Sequence, residues 1–295
     1  MKYDHLRIEF SGTEVPELYH DLLSLEVELD DELAGMCRIT LALLPGADGS
    51  WPYLDDKRFA AWQRLSVIAG FEDDARQLLT GYVTHLRPAF GLGAGQSQLE
   101  IWAMDASVLL DRVDRVKAWP NKKDSDIAAE IFQEHGLTPE VADTELVHDE
   151  RMSTIVQRET DAQLLRRLAL RNGFECFVDG DTGHFRLPAA DADPQPVLAV
   201  QFGDETNVDW FRLEVNALAP AKVSLTQIDH VSGQVLEAQA GIGRQPALGA
   251  DPAGALQAPG EPAMVRVART VTTGAAEMST VCQGHFDRGQ WFVTG

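Results

Sequence analysis

The sequence predicts a mainly β (α+β) fold in which two β-rich segments flank a compact α+β segment. The first third of the chain alternates apolar and polar residues with a period of two, which is typical of antiparallel strands with one buried face. The middle changes to the 3.6-residue periodicity of amphipathic helices. The period of two returns after residue 196. These observations predict two β modules around an α+β insert.

Five strands are predicted in the first 105 residues. The alternating runs cover residues 5–10, 24–30, 37–43, 79–86 and 98–103. Gly and Pro residues separate these runs, a pattern that favours a small barrel or sandwich. A glycine-rich run at 91–95 lies between two strands and not before a helix. It therefore predicts a flexible hairpin tip rather than a dinucleotide-binding loop.

The insert begins with a short helical stretch at 106–110 and a linker at 118–123. Asp124 then fits the N-cap of a helix, because its side chain can accept a hydrogen bond from an unpaired backbone N–H group of the first turn. Gly136 lies where a left-handed residue commonly ends a helix. The apolar face of this helix consists of Ile127, Ala128, Ile131 and Phe132.

A second helix begins at Thr160, whose hydroxyl can cap the first turn while Gln163 reaches back to it. Gly173 is expected to end this helix. Its apolar face consists of Leu164, Leu165, Leu168 and Ala169. A hairpin follows, with strands at 174–178 and 184–187 around a turn at 179–183.

The last third of the chain returns to β character after a spacer at 188–196. Strands are predicted at 197–202, 210–218, 221–228 and 234–239, and a final β/α stretch at 265–295. Residues 244–262 are rich in Ala, Gly and Pro, so they bury too little apolar surface to offset the entropy of ordering. We expect a long flexible loop there. The predicted domain boundaries are 1–113, 114–190 and 191–295.

The charge of the chain argues against two classes of partner. Acidic residues outnumber basic ones 46 to 25, and the formal net charge is −21. Binding to nucleic acid phosphates or to an anionic membrane surface requires clustered Lys and Arg. We therefore expect no nucleic-acid partner. No run of about 18 apolar residues and no signal-like N-terminus is present, so no membrane anchoring or secretion signal is expected either.

The three cysteines are scattered and show no CxxC spacing. Cys37, Cys176 and Cys282 each lie in an apolar surrounding sequence. This pattern favours small buried side chains, reduced in a cytoplasm, over a disulfide framework or a zinc cluster.

Two acidic motifs are candidates for chemistry, and each has a simpler explanation. The run at 179–183 resembles part of a calcium loop but lacks the further carboxylate, the Gly and the Glu that an EF-hand requires, so a turn is predicted. Asp124 and Asp126 could form a carboxylate pair. Acidic residues are, however, favoured in the first turn of any helix by its unpaired N–H groups and dipole.

No enzyme motif is present in the sequence. There is no HExxH zinc motif, no GxSxG nucleophile elbow and no phosphate-binding GxxxxGK[ST] loop. The histidines are spread along the chain, at His5, His20, His85, His135, His148, His184, His230 and His285. We therefore predict no catalytic, cofactor-binding or metal site, and expect that the protein is not an enzyme.

One region resembles a known family. Residues 157–169, together with Asn172, Gly173 and Phe174, are similar to the signature of phage late-control gene D proteins and of the N-terminal part of VgrG spike proteins. Shorter matches at 126–128, 135–137 and 202–204 occur in the order that this family shows. Leu164 departs from the pattern, because an aromatic residue is common at that place.

The resemblance implies a baseplate hub of two β-barrel domains with an α+β insert. Such hubs are homotrimers that join a hexameric inner tube to a trimeric spike protein, and they contact baseplate wedge proteins. They assemble in the cytoplasm, become part of the particle and have no catalytic residues. Contractile phage tails, type VI secretion and extracellular injection systems all remain open. The resemblance also leads us to expect further strands that close the second barrel after residue 295 and, in VgrG-like proteins, a neck and a needle domain. Whether the spike is a separate polypeptide or this chain is a piece of a longer one stays open.

Two rival functions remain open from the sequence. A tail-associated cell-wall hydrolase would bring two carboxylates, or a Cys and a His, together in a cleft. A peptidoglycan-binding module would present an exposed aromatic platform. Trp119, in the predicted linker, is the nearby candidate for such a platform.

Overall fold

The protein is mostly β with few helices, as the alternation predicts. The computed structural model describes residues 4–30, 34–71, 75–93, 95–190, 197–218, 221–229, 231–244, 260, 263–268, 270–291 and 293–294. Most of the predicted loop at 244–262 lies outside these residues, as does His230. Within them, no helix combines the length and the apolar character needed to cross a membrane.

A seven-stranded antiparallel sheet forms the first part of the chain and curls into a half-barrel. Its strands are β1 (Asp4–Phe10), β2 (Thr13–Glu14), β3 (Leu22–Glu28), β4 (Met36–Ala42), β5 (Arg64–Phe71), β6 (Arg76–Ala89) and β7 (Gln98–Asp105). They are arranged in the order β2-β1-β5-β6-β7-β4-β3, and a one-turn helix, α1 (Leu18–Asp21), follows β2. Alternate residues such as Ile8, Ile39 and Ile101 are fully buried in one hydrophobic core. The five predicted strands are thereby confirmed.

Strand β5 was not predicted from the sequence. Val67, Ile68 and Ala69 are consecutive apolar residues, so the alternation from which strands are recognised is lost within β5. The register shift in the β5–β6 pairing lies on the other strand, where Leu78 is the extra residue between the partners of Val67 and Ile68.

The insert packs helices and small sheets around a second hydrophobic core. Its elements are α2 (Ser107–Leu110), β8 (Arg115–Trp119), α3 (Asp124–Glu134), β9 (Thr138–Val141), β10 (Ile155–Glu159), α4 (Asp161–Asn172), β11 (Glu175–Asp179) and β12 (Thr182–Arg186). β8 pairs with β10, and β9 joins the β11–β12 hairpin as a parallel strand. Phe132, Leu164 and Leu168 are fully buried in the core, as the predicted helical faces require.

The predicted helix ends are largely confirmed. Gly136 and Gly173 adopt left-handed φ angles of 74° and 70°. Thr160 caps α4 by accepting a hydrogen bond from the backbone N–H of Gln163 at 3.3 Å. Asp124 is the first helical residue of α3 and not its cap, because Lys123 holds the cap position.

Trp119 corrects the predicted linker at 118–123. It is the last residue of β8 and is 2% exposed. Its indole Nε1–H donates a hydrogen bond to Gln157 Oε1 at 3.1 Å, so this aromatic residue belongs to the core.

The C-terminal part has a smaller sheet with a helix on it. Its elements are β13 (Glu214–Val215), β14 (Lys222–Ile228), β15 (Val235–Ala240), β16 (Met264–Val267), α5 (Ala275–Gly289) and β17 (Val293–Thr294). β14 lies between β15 and β16, and the two-residue strand β13 pairs with β17. A third core joins this sheet to α5 through residues such as Val223, Met278 and Phe286.

Two of the four strands predicted after residue 196 are confirmed as β14 and β15. The prediction for 197–202 is wrong, because that run forms no strand, and only β13 forms within 210–218. The alternating side chains of these runs have no core to face, so the pattern alone does not produce a strand. The boundaries at 113 and 190 stay predictions.

Helices α4 and α5 cross at two glycines. A Cβ atom added to Gly284 would lie 2.6 Å from the carbonyl oxygen of Arg171 and 2.6 Å from the backbone nitrogen of Gly173. Only a residue without a side chain allows this close approach.

We predict that Gly284→Ala destabilises the protein by about 1–3 kcal/mol, because overpacking at the crossing outweighs the better helix propensity of alanine. The free energy of unfolding in urea measures this. Ser279→Ala, at an exposed position of the same helix, is the control and should be nearly neutral. A more stable Gly284→Ala variant would contradict the close crossing.

Candidate functional site: a buried charge cluster

Five polar side chains from four parts of the chain meet in the interior. We call them the buried charge cluster: Asp124, His148, Arg171, Asn172 and Glu277, each 8% exposed or less. Buried ionic groups are costly unless they pair with one another. Among the described residues, the buried charge cluster is therefore the strongest candidate for a functional site.

The local structure places each member of the cluster. Asp124 begins α3, and Arg171 and Asn172 form the last turn of α4. Glu277 lies in the first turn of α5 and accepts a hydrogen bond from the backbone N–H of Thr273 at 2.6 Å. His148 is held beside the start of α3, since its backbone N–H donates to the carbonyl oxygen of Lys122 at 2.9 Å.

The two buried carboxylates share their basic partners. His148 Nε2 lies 2.7 Å from Asp124 Oδ1, and His148 Nδ1 lies 3.5 Å from Glu277 Oε1. The amide of Asn172 donates to Asp124 Oδ2 at 2.7 Å. The Arg171 guanidinium pairs with Glu277, and its Nε lies 3.5 Å from Asp124 Oδ2. Each charged group thus has an oppositely charged neighbour.

The surroundings keep Asp124 ionised. Burial alone would raise the pKa of its carboxyl group. The hydrogen bond from His148, the positive charge of Arg171 and the hydrogen bond from Asn172 outweigh burial, and the pKa of Asp124 is lowered below its ordinary value. Burial lowers the pKa of the Arg171 guanidinium, an effect that the Asp124 carboxylate opposes.

The cluster has the groups of an acid–base site but not its accessibility. General acid–base chemistry requires the proton-transferring group to reach a substrate atom directly or through one water. The imidazole of His148 is 2% exposed and lies between two carboxylates. The arrangement therefore joins α3, α4 and α5 and does not face a cleft.

A second set of contacts fixes α5 next to the cluster. Arg244 donates from its Nε to Asp287 Oδ2 at 2.6 Å and from its NH2 group to the carbonyl oxygen of Asn172 at 2.8 Å. Gln283 donates to Asp287 Oδ1 at 2.8 Å. Together with the contact of Glu277, these hydrogen bonds connect the last turn of α4 to several turns of α5.

A separate polar network supports the start of α4. Asp161 is 1% exposed. Its Oδ2 lies 2.8 Å from His135 Nε2 and 3.0 Å from Arg115 Nε, and its Oδ1 accepts from Gln157 at 2.7 Å. The negative charge also lies at a helix N-terminus, where the dipole favours it.

The other sequence candidates do not converge. Asp126 is exposed and only accepts a hydrogen bond from the backbone N–H of Lys123. The run at 179–183 is a tight hairpin turn, in which Asp181 pairs with Arg64 at 2.7 and 2.8 Å. Of the run at 91–95, the described residues 91–93 and 95 lie in the turn between β6 and β7. In the described part of the chain, no three His, Cys, Asp or Glu residues are placed to hold a metal ion.

The cysteines are free thiols. Cys37 and Cys282 are buried and Cys176 is partly buried. Burial raises the pKa of the Cys37 and Cys176 thiols to about 12 and that of Cys282 above its ordinary value. All three are therefore protonated and unreactive near neutral pH.

Sequence reasoning found Asp124 but missed its partners. His148 lies in a stretch with no periodicity, and Glu277 is 106 residues from Arg171. One signal was present in the sequence. Arg171 and Asn172 continue the apolar face of α4 at i+3 and i+4 from Leu168, and polar residues at buried positions require partners.

We predict that Asp124→Asn lowers the free energy of unfolding by about 3–5 kcal/mol, because Arg171 and His148 would stay buried without their carboxylate. The matched control is Asp126→Asn, two residues away in the same helical turn but exposed, with an expected cost below about 1 kcal/mol. Equal costs for the two variants, measured by urea unfolding, would contradict a role for the cluster.

The lowered pKa of Asp124 gives a pH dependence of defined sign. The Asp124 carboxylate stabilises the folded protein fully at pH values above its unfolded-state pKa of about 4. This stabilisation is lost as the pH falls through the lower pKa that Asp124 has in the folded protein. The wild-type protein should therefore lose stability below pH about 4 more steeply than Asp124→Asn does. Urea unfolding over a pH series tests this, and parallel curves would refute it.

The fold is similar to that of phage tail proteins. The 43 kDa tail protein of prophage MuSo2 from Shewanella oneidensis matches with a TM-score of 0.64 and 15% identity, over 97% of this chain and 79% of that chain. The tail protein from Neisseria meningitidis MC58 matches with a TM-score of 0.63 and 13% identity, over 93% of this chain and 73% of that chain. At these identities the likeness establishes a common fold.

A third, weaker likeness is to a type VI secretion component from E. coli, with a TM-score of 0.46 and 13% identity over 66% of this chain and 53% of that chain. A score this low carries no argument. No curated protein matches the sequence.

The family comparison differs from the resemblance noted in the sequence. The model that matches is that of the Alg8 N-terminal domain, over residues 2–258, and not that of the gene D proteins. The resemblance to gene D and VgrG proteins is thus supported at the level of a tail-protein fold. With most of its length matched, the chain belongs to the Alg8 N-terminal domain family.

Proposed function

We propose that this protein is a structural subunit of a phage tail or contractile injection particle. The observation that carries the proposal is the fold shared with two phage tail proteins over 97% and 93% of the chain. A likeness over nearly the whole chain involves both β regions and the insert together. It therefore favours a role that uses the whole architecture, such as assembly, over one that uses a single pocket.

Within such a particle, the specific role that we propose is that of a baseplate hub. Three copies surround the axis and join a hexameric inner tube to a trimeric spike protein, with baseplate wedge proteins outside. Two β modules per subunit, as in the half-barrel sheet and the C-terminal sheet, suit this change of symmetry. The hub assembles in the cytoplasm and then becomes part of the particle.

The buried charge cluster supports a structural rather than a catalytic role. Its His148 and Asp124 side chains are 2% and 5% exposed, so a cell-wall polymer has no access to them. Trp119, the candidate for a peptidoglycan-binding platform, is a core residue. The formal charge of −21 per copy also disfavours nucleic acid as a partner.

The stoichiometry of the purified complex tests the proposal. We expect three copies of this chain when it is co-expressed with the tube and spike proteins of its particle and analysed by native mass spectrometry. A single copy, both alone and with these partners, would contradict the hub.

A zymogram on peptidoglycan separates the hub from the hydrolase. The hub should give no clearing at a protein amount at which lysozyme clears the gel. Clearing that is lost in a variant of an acidic or histidine residue would replace the proposed function with the enzymatic one.

A further inference from the structure

Residues 197–218, which we call the apolar segment, display side chains that folded proteins usually bury. Nine large apolar residues in this segment are more than a third exposed. The most exposed are Val197, Phe202, Trp210, Leu213 and Leu218, at 81%, 66%, 73%, 61% and 87%. The large apolar side chains of 197–202 and 210–218 are therefore turned toward the outside of the molecule.

The first half of the apolar segment is held in shape by its polar groups. The Asn207 side chain accepts from the backbone N–H of Ala199 and donates to the carbonyl oxygen of Val197, each at 2.7 Å. The Thr206 hydroxyl accepts from the backbone N–H of Phe202 at 2.8 Å. These hydrogen bonds fix the backbone while the apolar side chains point outward, which is an arrangement suited to binding.

The exposed area matches that of one half of a specific interface. With aromatic surfaces of about 150–250 Å² and smaller aliphatic ones, the nine side chains expose on the order of 1,000 Å². Single apolar patches on monomeric proteins rarely exceed about 300–600 Å². A standard interface buries about 800 Å² on each partner.

A second surface of the same chain is complementary to the apolar segment. Val116, Ala118, Val156 and Arg158 point outward from the β8–β10 sheet, and we call them the strand patch. Val116 is 87% exposed although it lies within a strand. Val116 is directly opposite Arg158, and Ala118 is directly opposite Val156.

The charges of the two surfaces are opposite. The apolar segment has the acidic residues Asp204, Glu205, Asp209 and Glu214 and the single basic residue Arg212. Arg158 on the strand patch is exposed and has no acidic partner among the described residues. An apolar centre with opposite charges at its rim is the usual composition of a protein–protein interface.

We propose that the apolar segment of one copy binds the strand patch of the next copy around a three-fold ring. A contact between two different surfaces of identical chains is heterologous, and such a contact closes into a ring when its rotation fits the symmetry. The occupant of each surface is thus a second copy of this chain. This inference rests on the proposed trimer and adds the surfaces that form it.

Two variants and one control test the pairing by native mass spectrometry of the full chain, alone and with its tube and spike proteins. Trp210→Asp alters the apolar segment and Val116→Asp alters the strand patch. Each should raise the dissociation constant of the ring by about 30-fold or more and give single copies. Leu92→Asp, at a fully exposed position in the β6–β7 turn, should keep three copies.

Native mass spectrometry of a mixture of the two variants is the decisive experiment. The Trp210→Asp chain keeps its strand patch and the Val116→Asp chain keeps its apolar segment, so an equal mixture should form two-chain species through one intact contact. Circular dichroism melting verifies that both variants are folded, which their exposed positions favour.

The outcomes distinguish this inference from the proposed function. If the wild-type protein forms three copies and either variant still does so, or if the mixture stays monomeric, the pairing is wrong and the hub remains. If the wild-type protein is a single copy with and without its partners, the hub itself fails.

Discussion

The ion pairing between Asp124, Arg171 and Glu277 is the interaction on which the joining of the insert to the C-terminal helix depends. Each of these residues comes from a different helix, and each is buried. A buried charge whose partner is absent is strongly destabilising. The native packing of the three helices therefore keeps each of these charges paired, and the close Gly173–Gly284 crossing belongs to the same packing.

The position of the C-terminal sheet depends on the contact between α4 and α5. α5 packs on the sheet through the third hydrophobic core, with Met278 and Phe286 among the buried side chains. Since α5 is fixed to α4 on its other side, the sheet and the insert form one packed unit. Buried charges thus connect the insert to the C-terminal helix, while large apolar side chains of residues 197–218 are exposed on the outside.

Sequence patterns predicted the helices and strands whose formation depends on a few adjacent residues. Alternation identified the strands of the first sheet, and Thr160 and Gly173 marked the ends of α4 because capping depends on a few adjacent residues. The formation of β5, which pairs with β1 and β6, and the absence of a strand at 197–202 depend on residues elsewhere in the chain. Helical spacing marks Arg171 and Asn172 as polar residues at buried positions, but it does not identify their partners, because the buried charge cluster assembles only where three helices pack together.

A chain with charges inside and apolar residues outside agrees with our proposal that the protein is one copy of a symmetric assembly. Electron cryomicroscopy of the intact particle tests this proposal most directly. We expect density for three copies around the axis, between tube and spike, with residues 197–218 covered. Density for one copy away from the axis, with that segment facing solvent, would contradict it.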